Sequence, residues 1–380
     1  MSSSTCRSMF VRALQGGYLD TAAEGLPAPG VAATYSEYLR EKEVGTPGRR
    51  RHFEKEAEAR ELAARLLGAP VADVAFAPSA SDALNILAAS LELRAGDEIV
   101  ITDLEFPSNV LPWLALRRRG VQVHVVQCPD GCIPMQELAA KINQRTRLVS
   151  VSLVSYKSGA YFPCTVELSR MAHDVGAVLC VDATQALGRC PVPLDGIDYL
   201  MSSTFKWLMG PHGLAVVYVS PAFRERFEPI GVGWYSVESC FTPDRFERYT
   251  LKPGAACIAA GMPNFGSLYA MCEALKFVLS LDHERERQRV NALCLELRRN
   301  LAALGLKMLT PADPSLVSGI VAFEHEHAVA IASALEERGI TVWGGDNRVR
   351  ASVHFYNDET DTAALVSALP HVLEQVKYAG

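Results

Sequence analysis

The stretch AVLCVDATQALG, residues 177–188, decides how the chain is read. Five apolar residues lead into Asp182, and a polar turn with Thr184 and Gln185 follows. A short unbroken apolar run of this kind is the pattern of a strand buried on both faces, and such strands belong to parallel sheets covered by helices. Asp182 then stands at the strand's carboxyl end, the edge of an open α/β sheet where ligands bind. A carboxylate there needs a cation or several donors, because an unpaired buried charge is costly. The structural alternative is an Asp that caps the following turn.

Working outward, strand-like and helix-like runs alternate. DVAFAPS (73–79) reads as a strand and ASDALNILAASLEL (80–93) as a helix with Ala83, Leu84, Leu87 and Ala88 on one face. EIVITD (98–103), VQVHVVQ (121–127), RLVSVSLVS (147–155), YLMSSTF (199–205) and GLAVVYVS (213–220) read as further strands. Helical runs at 109–120, 135–142 and 166–176 lie between them. This alternation predicts βαβ units and a mainly parallel sheet. After about Gly261 a long helical stretch precedes SGIVAFEH, a helix from His327 to Arg338, VRASVHFY and a last helix from Asp358 to Tyr378. That part predicts a small α+β domain.

The bulk properties narrow the function classes. The chain has 380 residues, 49% of them hydrophobic and 21% charged, which is ordinary for a globular protein of two to three domains. A net charge of -6 leaves no electrostatic footprint for nucleic acid. No apolar run reaches the ~18 residues of a membrane span. The N-terminal residues 1–17 lack an apolar secretory core. The ten cysteines include no CxxC pair, so neither a zinc site nor a disulfide framework is expected, and a reducing cytoplasm fits. No metal site is predicted.

Lys206 lies in YLMSSTFKWLMGPHG (199–213), one βα unit beyond Asp182 and at the same sheet edge. Lysines usually occupy solvated faces. Between Phe205 and Trp207, however, the charged form is disfavoured, and a neutral amine is a nucleophile. Such a lysine beside a buried Asp suits a Schiff base to a pyridine aldehyde, with the carboxylate on the protonated ring nitrogen. SASDALN (79–85) opens a helix after a strand and offers a phosphate its free N–H groups and the hydroxyls of Ser79 and Ser81, although it is also an ordinary N-cap. Ser202, Ser203 and Thr204 add hydroxyls near Lys206. Phe106, in DLEFPSNVLPW (103–113), is placed to stack on a ring or to fill the core. Arg350 offers a bidentate grip on a carboxylate, and Arg348, two residues earlier on the same strand face, is the alternate.

In this order the residues resemble the class V aminotransferases, pyridoxal-phosphate enzymes of fold type I. The likeness runs from YLDTAAEGLP (18–27) to the RASVHFYN and AALVSAL tail, and VDATQALG with FKWLMGPHG carries it. It implies an α/β fold: a large domain, 18–280, around a mainly parallel seven-stranded sheet, a small C-terminal α+β domain, 281–380, and an N-terminal segment, 1–17, packed on the latter. It further implies that Lys206 bonds pyridoxal 5'-phosphate and acts as acid and base. Asp182 would pair with the ring nitrogen and Gln185 with the ring hydroxyl. Ala80, Ser81 and Ser203 would hold the phosphate, Phe106 would stack, and Arg350 would bind the carboxylate of an amino-acid substrate. GMPNFGS (261–267) matches a segment donated across a homodimer, so Asn264 and Phe265 are expected at the partner's site. Tyr156 stands where the family commonly has Asn, facing ring hydroxyl or substrate. Glu24 is a candidate for substrate selectivity, with a solvated loop Glu as the alternative.

Cysteine desulfurases of this family stack a His where this chain has Phe106, and carry a catalytic Cys on a loop before the late Arg. GITVWGGDNRVRAS (339–352) is short and has no Cys, so the persulfide thiolate is missing. The chain looks more like the isopenicillin N epimerase-like and C–S lyase-like branch, with C–S lysis, epimerisation or transamination following proton removal. Three alternatives remain: a desulfurase or selenocysteine lyase, an inactive relative, and a nucleotide-binding oxidoreductase. For the last, the GxGxxG after the first strand is absent.

Overall fold

In a computed structural model that describes residues 7–378, the runs read from the sequence assemble into two sheets. The seven-stranded sheet contains β1 (Val74–Ala77), β2 (Glu98–Thr102), β3 (Gln122–Val126), β4 (Thr146–Ser152), β5 (Val178–Asp182), β6 (Tyr199–Ser203) and β7 (Ala215–Val219). Its order is β1-β7-β6-β5-β4-β2-β3, and only β7 runs against its neighbours. All the other strands therefore point their carboxyl ends to one edge. Asp182 pairs in register with Ser152 on one side and Met201 on the other.

Both faces of this sheet are covered. Val149, Val151, Leu179, Val181 and Leu200 face one core, while Leu148, Val178, Cys180, Tyr199 and Met201 face a second. The alternation follows from the period of two along a strand. The first core also takes residues of α2 (Arg49–Leu67), α4 (Thr165–Asp174) and α5 (Phe265–Leu279), and the second those of α3 (Ala80–Ser90). Helix α1 (Val31–Glu43) packs on α2 and α5.

A third core joins α5 to α6 (His283–Ala303), α7 (Ala328–Glu336), α8 (Glu359–Tyr378) and the antiparallel sheet of β8 (Ile320–Glu324), β10 (Arg348–Ser352) and β9 (Trp343–Gly345). Phe10 and Ala13 belong to this core, while residues 1–6 of the predicted 1–17 segment lie outside the described residues. Residues 18–20 run beside β10: Ser352 N donates to Leu19 O at 2.7 Å, and Asp20 bridges to Ser352.

Three local expectations change. β6 ends at Ser203 rather than Phe205, because the Thr204 hydroxyl turns to donate to the carbonyls of Pro211 and Leu214. The 109–120 run is a helix only over Leu111–Ala115, with Pro112 in its first turn, and 3-10 turns at Pro107–Asn109 and Leu116–Arg119 flank it. The long helical stretch breaks between α5 and α6, where the Asp282 side chain accepts from Arg285 N. Among the described residues no helix is long and apolar enough to cross a membrane, and no His/Cys/Asp/Glu cluster suits a metal ion.

Candidate active site

Four parallel strand ends and one helix start converge on a cavity of about 180 Å³. Helix α3 contributes Ala80 and Ser81, the turn after β2 Phe106 and Ser108, and the segment after β4 Tyr156. β5 contributes Asp182 with Thr184 and Gln185, and β6 contributes Ser203 with Phe205 and Lys206.

Lys206 is 9% exposed. Its loop is pinned from outside: Gly25 N donates to Phe205 O at 2.9 Å, and Ala28 N to Met209 O at 2.9 Å. A Cβ on residue 25 would sit 1.9 Å from the Lys206 carbonyl oxygen, so only glycine allows this approach. Nζ lies 5.3 Å from the centroid of Phe106 and 5.5 Å from that of Phe205. Burial, with the nearby Arg350 charge adding to it, lowers its pKa to about 8 against the pull of Asp182, Asp20 and Glu24. Burial raises that of Asp182, opposed by the hydrogen bonds of Thr184 and by the Lys206 charge. Thr184 N donates to Asp182 Oδ1 at 2.8 Å, and the Thr184 hydroxyl accepts from Ser203 N at 3.1 Å.

At the other end, the Ser79 hydroxyl caps α3 by accepting from Asp82 N, and the hydroxyls of Ser81 and Ser108 are 2.8 Å apart. Phe106 is 42% exposed and stands edge-to-face on Tyr156, centroids 5.1 Å apart. Arg350 sits behind this wall rather than in it. Its Nη1 donates to Tyr156 O at 3.1 Å, and its Nη2 is 3.8 Å from Asp20. Burial brings its pKa down to about 10. Arg348 is also buried, lies 4.9 Å over the Tyr156 ring and pairs with Asp346. The half-exposed Glu24 pairs at 3.2 Å with His212, whose ring stacks on Phe205.

Other predicted residues are placed differently. Gln185 lines the cavity, but its Oε1 accepts from Trp207 Nε1 at 2.6 Å and its Nε2 donates to Ala22 O at 3.0 Å. One amide N–H remains for a ring hydroxyl. Asn264 and Phe265 are not brought to this cavity. Asn264 caps α5 by accepting from Ser267 N and lines a separate cavity of about 870 Å³. Phe265 is buried in its own chain, stacked on His52 with centroids 5.2 Å apart.

Sequence reasoning passed over Thr184, Ser108 and Asp20. Thr184 carried a signal, an Asp followed two residues later by a backbone donor. Asp20 carried little, an acidic residue in an apolar N-terminal run.

An amine between aromatic rings, a strand-end carboxylate, a helix start with added hydroxyls and a buried guanidinium form the donor set of an enzyme that works on amino acids through a bound aldehyde. The aminotransferase class-V family model matches residues 17–365, and the chain belongs to that family. A probable cysteine desulfurase of Methanothermobacter thermautotrophicus is 30% identical over 96% of this chain and 95% of its own. An uncharacterized aminotransferase of Bacillus subtilis is 30% identical over 81% of each chain. The apo structure of a cysteine desulfurase from Thermococcus onnurineus superposes with a TM-score of 0.88 at 25% identity, covering 98% of both chains. The protein is a pyridoxal-phosphate-dependent enzyme of the lyase or transferase type, with the fold type I architecture.

The residues present fit the cofactor. Asp182 is a buried acid lining the cavity, met by Thr184 N on Oδ1, and the first turn of α3 meets the same space with the Ser81, Ser108 and Ser203 hydroxyls around it.

Proposed function

We propose that this protein cleaves the Cβ–S bond of a cysteine-type amino acid by elimination, with the sulfur leaving on its own electron pair and no enzyme thiol receiving it. The observation that carries this reading is the lack of a thiol. None of the nine described cysteines lines the cavity. The segment ahead of Arg350 is a two-residue hairpin turn, Asp346–Asn347, both at positive φ. The desulfurase relatives support the substrate class.

When bound, pyridoxal phosphate supplies the electron sink for the carbanion at Cα. Ala80, Ser81 and Ser203 would hold its phosphate, Asp182 its ring nitrogen, Gln185 its ring hydroxyl and Phe106 its face. Arg350, whose Nη1 already donates to Tyr156 O, would meet the substrate carboxylate with its remaining N–H groups. The lowered pKa of Lys206 provides a neutral amine at mildly alkaline pH to take the α-proton. Loss of the β-sulfur then follows, because the Cα–H electron pair becomes a Cα=Cβ bond as the Cβ–S pair departs.

The same reading gives a large unit over 18–280 and a small one over 281–380, a homodimer, and a cytoplasmic enzyme. The dimer is supported by the strongly exposed aromatics Phe241 and Phe246 with Trp234 and Tyr249 nearby in one segment.

The products of L-cysteine turnover without reductant test the reaction. Elimination yields sulfide and pyruvate in equal amounts. Alanine, with sulfur retained on a protein thiol, would overturn it in favour of a desulfurase.

A further inference from the structure

The N-terminal run YLD places a carboxylate against the buried guanidinium of Arg350. Backbone pairing with β10 carries residues 18–20 alongside Arg350, so Asp20 lies next to Ser352 in register. Its side chain is 16% exposed, and Oδ1 is buried with no hydrogen-bond partner. The nearest cation, Arg350 Nη2, is 3.8 Å away, too long for a hydrogen bond. Neighbouring hydroxyls are committed elsewhere: Tyr18 donates to Glu24 O, and Thr21 pairs with Tyr356. Leaving a buried carboxylate oxygen unmet costs free energy unless something else arrives to meet it.

We propose that Asp20 is a further catalytic residue, whose carboxylate receives the substrate's α-ammonium beside Arg350 and accepts the proton that nitrogen must shed. This rests on the reading of Arg350 and Lys206 as the amino-acid site. An anion and a cation side by side match the carboxylate and ammonium of a zwitterion, and an ammonium brings three donors to the vacant oxygen. In the step one N–H bond breaks, its electron pair stays on nitrogen, and the proton moves to an Asp20 oxygen. The amine is then a nucleophile, and the proton returns to solvent or to the departing product amine.

The charges around Asp20 suit this use. Arg350 and Lys206 favour its ionised form, Glu24 opposes it, and Tyr18 and Tyr356 stand close by. Burial is the largest influence and brings its pKa to about 7, so it is a stronger base than an ordinary Asp. The cavity wall holds no histidine, and Asp20 stands with Arg350 just behind that wall. His212, 66% exposed and paired with Glu24, is the competing base.

Two measurements on the holoenzyme test the proposal. The first is kcat/KM for L-cysteine against pH in wild type, Asp20→Asn, Asp20→Glu and His212→Gln. Wild type and His212→Gln are expected to lose activity as pH falls through neutrality. Asp20→Asn should show a shallower limb, one ionisation in place of two because Lys206 still titrates, and be about 100-fold slower at pH 8, with Asp20→Glu restoring the slope in part. The second is calorimetric binding of L-alanine and of propionate, which has the carboxylate but no ammonium. Asp20→Asn should weaken L-alanine about tenfold and leave propionate unchanged or tighter. Should Asp20→Asn fail to fold, Asp20→Ser carries the same expectations. Equal losses for both ligands, or a limb whose slope is unchanged in Asp20→Asn and reduced in His212→Gln, would overturn the role of Asp20 alone. A wild type that neither binds L-alanine nor turns over L-cysteine overturns the parent reading, and this proposal with it.

Discussion

Lys206 shows how one side chain is tuned by its setting. Exposed, it would be a charged lysine with an ordinary pKa near 10.4. Here burial works against the ammonium, Arg350 adds a like charge, and three carboxylates restore only part of the loss. The same surroundings hold it rigidly, since Gly25 and Ala28 pin the loop on either side of its backbone. Lys206→Ala is therefore expected to fold normally yet hold pyridoxal phosphate without a covalent bond. Borohydride reduction followed by mass measurement should fix the cofactor to wild type and not to the variant. Turnover should fall at least about 100-fold, the scale of a lost acid–base group. A variant that still traps cofactor covalently would mean that another amine does this work.

At the scale of elements, the hairpin between β9 and β10 sets the position of both arginines. Two-residue turns with positive φ at both central positions match the twist of paired strands. Asp346 and Asn347 hold φ of 48° and 52°, and Asn tolerates that region better than most residues. The Arg348 to Gly345 pairing starts immediately after the turn, so register and guanidinium placement are coupled. Asn347→Val should destabilise the protein by about 1–2 kcal/mol, because a β-branched residue is strained at positive φ. It should also raise KM for an amino acid by loosening Arg350. Asn347→Gly should do neither. Urea unfolding and steady-state kinetics on the pair check both parts, and an unaffected KM in Asn347→Val would separate the turn from the site.

For the molecule as a whole, the small sheet is docked on the large one through a buried histidine. His354 Nε2 lies 3.0 Å from Trp207 O, and its ring stands edge-to-face on Trp207, centroids 5.1 Å apart. Burial lowers its pKa to about 3, with the charge of Arg189 adding to the effect. The unfolded chain has an ordinary value near 6.5. Between these values the unfolded state binds the extra proton, so this group removes stability as pH falls from 6.5. By pH 5 the loss is about 2 kcal/mol. Glu105, raised to about 7 by burial, acts in the opposite direction and is common to wild type and variant. His354→Gln should thus be less stable at pH 7 but lose about 2 kcal/mol less than wild type between pH 7 and pH 5. Equal pH slopes in denaturant melts would show that His354 does not couple the layers to pH.

The mainly parallel sheet, and the shared edge where Lys206, Asp182 and Phe106 line one cavity, were legible in the sequence. Their signals are local: apolar runs of strand length, and the few residues that follow each run. The seven strands fall where those runs lie, and Asp182 and Lys206 meet because adjacent parallel strands end at one edge. Only the tertiary structure decided which polar groups were already committed. Gln185 is tied to Ala22, 163 residues away in sequence, and Arg350 to Tyr156, 194 residues away. Phe265 was drawn into its own chain's core by His52, and Asp20 was carried to Arg350 by pairing with β10. Periodicity reports how a residue sits relative to its chain neighbours. What it touches across the fold is set by packing between elements, and that has no trace in the spacing of one stretch.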